Sequence, residues 1–319
     1  MMRIALIGIG AGAAAALLFA SVASGTLLSI PLFYLAPLPI LIAALGWSHW
    51  AALIAVFCAA LALAAAFGAF FSFAFLAGAG APGWWLGYLA MLARPVAGAN
   101  GHSETLEWYP PGRLVIWAAV LAAMMVILAI PVLGSDAQSF RANLHGALLQ
   151  LLQSEDVGTA SDPAKLGRVV DFLVAIVPPV AALVATITSL INLWLAARIV
   201  KISGLLRRPW PQLPAMSFPR PIAALLAAAV VIGFLGGLIG IAAGVLAASL
   251  LMAYAVLGLA VMHAITQGMA SRSFLLGGVY AAIIVLGWPV LALCLLGLIE
   301  TAFDLRARVL ARQGPPART

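Results

Sequence analysis

Five polar side chains interrupt long apolar stretches of this chain, and they are the first candidates for chemistry. They are Asn192, Tyr254, His263, Gln267 and Tyr280. A polar group inside a bilayer is costly, so each one is a candidate for binding or for an ion pathway. His263 and Gln267 are four residues apart and would share one face of a helix. They could hydrogen-bond a small polar solute, or they could join two helices by a hydrogen bond worth less than ~1 kcal/mol.

Charged residues end the last long apolar stretch, LLGLIETAFDLRARV (295–309). Glu300, Asp304 and Arg308 are spaced by four, which predicts one helical face with Asp304 and Arg308 in the favourable acid-first order. This pattern is typical of a solvated stop signal. Alternatively it is a docking face that offers Arg306 and Arg308 to lipid phosphates or an acidic partner. In that case we expect at least one of the two acids to have a basic or backbone N–H partner.

Small residues recur every four positions in two places, a spacing that lets helix backbones approach closely in lipid. Each stripe is predicted to pack against another helix or to dock a partner. The second stripe lies in the glycine run 233–244, which could instead be a turn. The first stripe is Gly8, Gly12, Ala16 and Ala20, and the second is Gly236, Gly240, Gly244 and Ala248.

The sequence contains no motif that predicts an enzyme. The glycine-rich GIGAG (8–12) follows no strand and lacks the spacing of a dinucleotide-binding turn. HExxH, CxxC and P-loop patterns are not found, so we predict no catalytic residues, no cofactor and no metal site. Cys58 and Cys294 lie in apolar runs and are predicted to be small core residues.

Composition places these residues in a membrane protein. Hydrophobic residues make up 65% of 319 positions and charged residues 8%, whereas soluble domains carry about 25% charge. We predict an all-α, polytopic transmembrane helical bundle of about 8–10 segments, forming one multipass domain, 1–319, in the lipid bilayer. The net charge of +7 does not predict nucleic-acid binding, because the basic residues lie in short loops between the spans.

Hydrophobic runs predict nine spans, some of them irregular. The first is expected to be an uncleaved helix rather than a signal peptide. Segment 69–93 could be broken or re-entrant, and 274–303 could be a hairpin or half-helix around Gly287-Trp288-Pro289. The predicted spans are 4–23, 28–46, 49–67, 69–93, 113–133, 171–199, 221–238, 241–268 and 274–303.

Basic loops predict the orientation. The N-terminus, the proline-rich loop 200–220 and the basic tail 304–319 are placed in the cytoplasm of a bacterial inner membrane. Segment 135–170 is then extracytoplasmic, and it contains a short amphipathic helix at 135–153 with Ser135 or Asp136 as its cap. The prolines of the loop indicate a stiff extended linker or, alternatively, a PQLP recognition motif.

The residues near the C-terminus also carry a family resemblance. GLAVMHAITQG (258–268) and LGLIETAFDLRAR (296–308) resemble the C-terminal half of the YybS-like predicted membrane proteins (domain of unknown function 2232). The proline-rich LAPLP (35–39) fits the same family. The resemblance implies kinship without a known chemistry. The matching motif residues are Gly258, His263, Gly297, Glu300, Asp304 and Arg306.

The family is more distantly similar to the substrate-capture subunits of energy-coupling-factor transporters and to the rod-shape protein MreD. In those subunits a small-residue face on the first helix docks the energising module. The resemblance therefore implies that Gly8, Gly12, Ala16 and Ala20 could dock a partner.

Two functions remain open from the sequence. The first is a solute-binding transport component energised by a partner such as an ATPase module, since the chain has no nucleotide motif of its own. The second is a non-catalytic membrane scaffold in cell-envelope, shape or division machinery. A polar cavity would favour the first, and a filled bundle with an exposed apolar groove would favour the second.

Overall fold

A computed structural model describes residues 1–97, 104–154 and 163–308. The chain is a helical bundle, as predicted. Its described residues divide into two compact units, one built from 1–118 with 187–218 and the other from 119–186 with the residues from 219 onward. Each unit is described below by itself.

The first part of the chain forms six helices and a β-hairpin. Irregular turns of helix join some of them: a 3-10 turn at Ser21–Ser24 and a π-helical turn at Leu76–Gly80. The elements are α1 (Met2–Ala20), α2 (Ser29–Tyr34), α3 (Pro37–Gly46), α4 (His49–Phe67), α5 (Ala69–Phe75), α6 (Ala81–Ala90), β1 (Ala93–Ala97) and β2 (Glu104–Trp108).

Seven further helices follow in the described part of the chain. They are α7 (Pro111–Leu133), α8 (Ala137–Ser154), α9 (Pro163–Ile202), α10 (Pro221–Gly233), α11 (Gly237–Ile265), α12 (Arg272–Leu286) and α13 (Pro289–Phe303).

Seven helical segments of the described chain are long and apolar enough to cross a membrane. They match the first six predicted spans and the eighth, with different ends. The segments are Met2–Ser24, Ser29–Gly46, His49–Phe67, Ala69–Ala90, Pro111–Leu133, Lys165–Ile202 and Gly237–Ile265. The chain is therefore a multipass membrane protein.

Two predicted spans are wrong as full spans. The predicted span 221–238 is the 13-residue helix α10, which ends at a glycine turn. The predicted span 274–303 is two 15-residue helices, because Gly287 has a φ of 71° and Pro289 starts a new helix. The predicted break at Gly287-Trp288-Pro289 is thus confirmed.

The segment predicted at 69–93 contains a distorted turn of helix. The π-helical turn Leu76–Gly80 inserts an extra residue per turn between α5 and α6, and the apolar helix runs on to Ala90. Strand β1 then begins at Ala93 and pairs antiparallel with β2. The sequence did not predict these strands, because apolar and polar residues alternate only weakly over five residues. The two strands are also joined by an exposed ion pair between Arg94 and Glu107, with 2.6 Å between Nη2 and Oε2.

The first unit is built around the contact between α1 and α4. A Cβ on Gly12 would lie 2.6 Å from the carbonyl oxygen of Ala55, and one on Gly8 would lie 2.7 Å from Ile54. Ala16 is also buried, and Ala20 is half-buried. The first small-residue stripe therefore packs within the chain, where close backbone approach increases van der Waals contact.

The proline-rich loop of the first unit is held by an arginine. The guanidinium of Arg208 donates hydrogen bonds to the carbonyl oxygens of Ala90 and Tyr109, each 2.7 Å long. Burial lowers the pKa of Arg208, and the two carbonyls compensate for part of its lost hydration. Phe218 is buried at the end of the loop.

The second unit surrounds α11, about half of whose residues are buried. Helix α13 packs antiparallel to α11. This direction follows from two backbone contacts, Gly258 with Leu293 and Gly297 with Tyr254. At the N-terminal end of α11, the chain reverses so that α10 packs against α11, with Gly233 and Gly240 in contact. The unit also contains the second half of α7, helix α8 and the first half of α9.

Helix α8 confirms the predicted amphipathic helix. Its buried Phe140 and Leu144 pack with Ile130 of α7 and Val170 of α9, so α8 caps the bundle. Asp136 is the predicted cap: its Oδ1 accepts hydrogen bonds from the backbone N–H groups of residues 138 and 139, each 2.9 Å long.

Candidate functional site

A half-open cavity of about 570 Å³ lies in the second unit, between α8, α9 and the turn that joins α10 to α11. This volume is within the range of small-molecule sites, about 300–1,000 Å³. Its walls combine apolar side chains, charged side chains and glycine backbone. The lining residues are Phe140, Arg141, Ala142, His145, Asp171, Val174, Ala175, Pro178, Pro179, Gly233, Gly236, Gly237, Gly240, Ile241 and Gly244.

Helix α8 contributes two basic side chains to the cavity. Arg141 and His145 are four residues apart and therefore lie on one face. The apolar contacts of Phe140 and Leu144 fix the rotation of α8 on the bundle. Nε2 of His145 lies 3.5 Å from Oδ1 of Asp171 on α9. This contact is an ion pair when the imidazole is protonated.

Helix α9 contributes a wall of hydrogen-bond acceptors. Asp171 carries a carboxylate, and Val174 and Ala175 follow on the next turn. Pro178 and Pro179 lie inside α9. Because proline has no N–H, the carbonyls of Val174 and Ala175 lose the donor that a regular helix supplies four residues further along.

Five glycines form the opposite wall. Gly236 and Gly237 have φ values of 74° and 65°, which other residues rarely adopt, so the chain can reverse sharply between α10 and α11. A Cβ on Gly236, Gly237 or Gly244 would meet no other atom within 4 Å. The missing side chains therefore leave open space, which is part of the cavity.

This geometry corrects the interpretation of the second small-residue stripe. Only Gly240 makes a close contact, with a Cβ position 3.1 Å from the carbonyl oxygen of Gly233. Gly236 belongs to a turn, and Gly244 faces open space. Ala248 is half-buried. The alternative that the glycine run contains a turn is confirmed. The three glycines of the stripe line the cavity.

The five polar residues predicted as solute-binding candidates do not line this cavity. Asn192 is in the first unit, where its amide donates hydrogen bonds of 2.9 Å to the carbonyl oxygens of Tyr34 and Thr188. Tyr254 is fully buried in α11 beside α13. Both side chains are placed where they join elements of the protein.

His263 and Tyr280 lie together in the second unit. Nδ1 of His263 is 2.9 Å from the carbonyl oxygen of Leu259, and Nε2 is 3.4 Å from the hydroxyl of Tyr280. Gln267 does not continue the helix of His263, because α11 ends at Ile265 and Gln267 lies in the exposed turn that follows. The prediction that His263 and Gln267 share a helical face is wrong.

Two glycines of the family motif form the contact between α11 and α13. The backbone of Gly258 touches α13 and that of Gly297 touches α11, and any side chain at either position would meet a carbonyl oxygen. Glu300 is 5% exposed. It accepts a 2.7 Å hydrogen bond from Nε of Arg306 and one of 3.1 Å from the Arg306 backbone N–H.

The end of α13 differs from the predicted helical face of acids and arginine. The helix ends at Phe303, and Asp304 has a φ of 49°, the left-handed conformation that Asp tolerates better than most residues. Asp304 and Arg308 therefore do not continue the helix of Glu300. The expected basic partner of an acid is confirmed, but it is Arg306 on Glu300 rather than Arg308 on Asp304.

The charged residues of the cavity are not among the candidates that the sequence suggests. Arg141 and His145 belong to the predicted amphipathic helix at 135–153, and Asp171 starts the predicted span 171–199. A double proline about two helical turns after an acid, Asp171 before Pro178-Pro179, is the available signal. It indicates unpaired carbonyls next to a carboxylate.

The family described as "Predicted membrane protein (DUF2232)" matches residues 13–301. Neither the curated proteins nor the solved structures contain a match to the chain.

Proposed function

The chain belongs to the DUF2232 family of predicted membrane proteins, and we propose that it is a solute-binding component of a bacterial inner-membrane transport system. The observation that carries this proposal is the cavity between α8, α9 and the glycine turn. A purely packed bundle has no need for a space of about 570 Å³ lined by Arg141, His145 and Asp171. Small-molecule sites are typically concave and mostly apolar, with a few placed polar groups that fix the orientation of the ligand.

The position of the cavity supports capture of a solute from outside the cell. It lies next to α8, in the segment that the distribution of basic loops places on the extracytoplasmic side. A solute could therefore enter without first crossing the bundle. Release to the other side would require a conformational change, and glycines 236 and 237 are suitable hinge residues.

Energy for uptake would come from another protein. The sequence has no phosphate-binding loop, and its charged residues avoid the middle of the spans, unlike those of proton- or sodium-driven pumps. The docking face for that partner is not the first small-residue stripe, because Gly8 and Gly12 are covered by α4.

The proposal is tested by a thermal-unfolding screen of the purified protein in mild detergent against small water-soluble metabolites. A solute that binds only the folded state stabilises it by about 2.7 kcal/mol at 100 times its dissociation constant. A saturable rise in melting temperature with one chemical class of solute is expected. A protein that no solute stabilises, and that purifies with envelope proteins instead, would contradict the proposal.

A membrane scaffold is the second candidate, and helix α12 favours it. None of its 15 residues is buried, and Phe274, Ile284 and Val285 are each more than three-quarters exposed. In a membrane such a helix faces lipid or a partner protein. If α12 binds a partner, Ile284→Ser should remove a protein that co-purifies with the wild type. Val132→Ser, at an exposed position of α7, should not.

A further inference from the structure

The α9 wall of the cavity indicates which chemical group the solute carries. We infer that the cavity binds a small organic solute through a protonated amine, held by the Asp171 carboxylate and by the backbone carbonyls of Val174 and Ala175. This inference rests on the proposed solute-binding function. It identifies the substrate class of the same site.

The carbonyls follow from the two consecutive prolines. In a regular helix the N–H groups of residues 178 and 179 would donate to the carbonyls of Val174 and Ala175. Prolines at both positions remove both donors. A membrane protein tolerates unpaired carbonyls where they line a cavity, and both residues line this one.

Asp171 makes this wall suited to a cation. It lies one turn before Val174 on the same helix and also lines the cavity. An ammonium group has three N–H donors and no acceptor. It could donate to a carboxylate and to carbonyls together, and hydrogen bonds to charged groups are the strongest ones. The groups of α9 offer an anion only acceptors, and the basic groups at the cavity, Arg141 and His145, belong to α8.

The rest of the cavity favours an organic amine over a metal ion. A space of about 570 Å³ is far larger than a monovalent ion, and Phe140 and Ile241 add apolar surface. Arg141 lies on α8 and could bind an anionic group of the same solute. The glycine wall allows a flat ring to approach the backbone closely.

The test uses three solutes of similar shape and different charge: phenethylammonium, phenethyl alcohol and phenylacetate. Each is titrated into the purified full-length protein by calorimetry, and sodium chloride is titrated as the inorganic cation. Phenethylammonium is expected to bind about tenfold or more tightly than the alcohol, as for hydrogen bonds to a charged group. Tighter binding of the alcohol or of phenylacetate, or heat from sodium alone, would overturn the inference.

Two variants locate the amine. Asp171→Asn should remove the preference for phenethylammonium. Pro179→Ala restores an N–H that pairs with the carbonyl of Ala175, so it should weaken amine binding without changing any charge. Pro131→Ala in α7 is the matched control, since Pro131 is inside a helix but not at the cavity. Unchanged amine affinity in both cavity variants, with normal melting temperatures, would contradict the inference.

The result separates the two proposals. If none of the three probes binds but a different solute class stabilises the protein in the metabolite screen, the solute-binding function stands and the amine inference fails. If no solute of any class binds, the proposed function itself fails.

Discussion

Glu300 and Arg306 form a buried ion pair just beyond the point where α13 crosses α11. Nε of Arg306 lies 2.7 Å from Oε1 of Glu300, and the two side chains are 13% and 7% exposed. Both oxygens of the carboxylate accept hydrogen bonds, since the backbone N–H of Arg306 donates to Oε2. The chain turns through Asp304 to bring these groups together.

Removal of one partner of this pair should destabilise the protein. Glu300→Gln leaves the Arg306 guanidinium buried without its counter-charge, and loss of one partner of a buried pair costs about 3–5 kcal/mol. Replacement of both residues, by Glu300→Leu with Arg306→Met, should cost less than either single change. Thermal unfolding in detergent measures this, with Arg308→Ala as the exposed control. A single variant as stable as the wild type would show that the pair is solvated.

Close contact at the glycines of α11 and α13 should make both positions intolerant of a methyl group. Gly258→Ala and Gly297→Ala each place a Cβ against a carbonyl oxygen of the neighbouring helix. Such overpacking costs about 1–3 kcal/mol. Gly277→Ala and Gly278→Ala in α12 are the controls, because their Cβ positions are open and alanine favours a helix. Equal melting temperatures for the two pairs would mean that the helices separate easily.

The first small-residue stripe can be tested in the same way. Gly12→Ala should lower the melting temperature, since its Cβ would lie 2.6 Å from the carbonyl oxygen of Ala55. Gly10→Ala lies on the open face of α1 and should be neutral or slightly stabilising. If Gly12→Ala keeps full stability but loses a co-purifying protein, the stripe docks a partner and the internal contact is not maintained.

Stability should fall in acid through the cap of α8. Hydrogen bonds, first from the backbone N–H of Ser139, lower the pKa of Asp136 below its ordinary value of 3.8. The cap therefore contributes stability at pH values above the unfolded-state pKa and loses it as pH falls through the folded-state pKa. Asp136→Asn keeps a capping side chain that does not titrate. Its melting temperature should decline less than that of the wild type between about pH 5 and pH 3. Parallel declines would contradict this role.

Sequence reasoning succeeded where one local pattern decides the structure. Apolar runs identified the long helices, and Gly287 before Pro289 identified the break between α12 and α13, because both features act within a few residues. The amphipathic pattern of 135–153 predicted α8 correctly, because this pattern is also local.

The candidate site could not be found in this way. Arg141 and Asp171 are far apart in sequence, and only the packing of α8 on α9 brings them to one cavity. Gly244 has the spacing of a packing residue, and nothing local shows that its Cβ position is open. The predicted polar residues, such as Asn192, instead satisfy nearby backbone carbonyls.

The most direct test of solute binding in this cavity is the affinity of the Gly244→Leu variant. Gly244 lines the cavity, and its Cβ position is open, so a leucine fits the helix and occupies the space of the solute. Gly277→Leu in α12 is the matched control. Equilibrium titration with a solute that stabilises the wild type should show at least about tenfold weaker binding, or about 1.4 kcal/mol, for Gly244→Leu alone. Wild-type affinity in a folded Gly244→Leu variant would contradict the account.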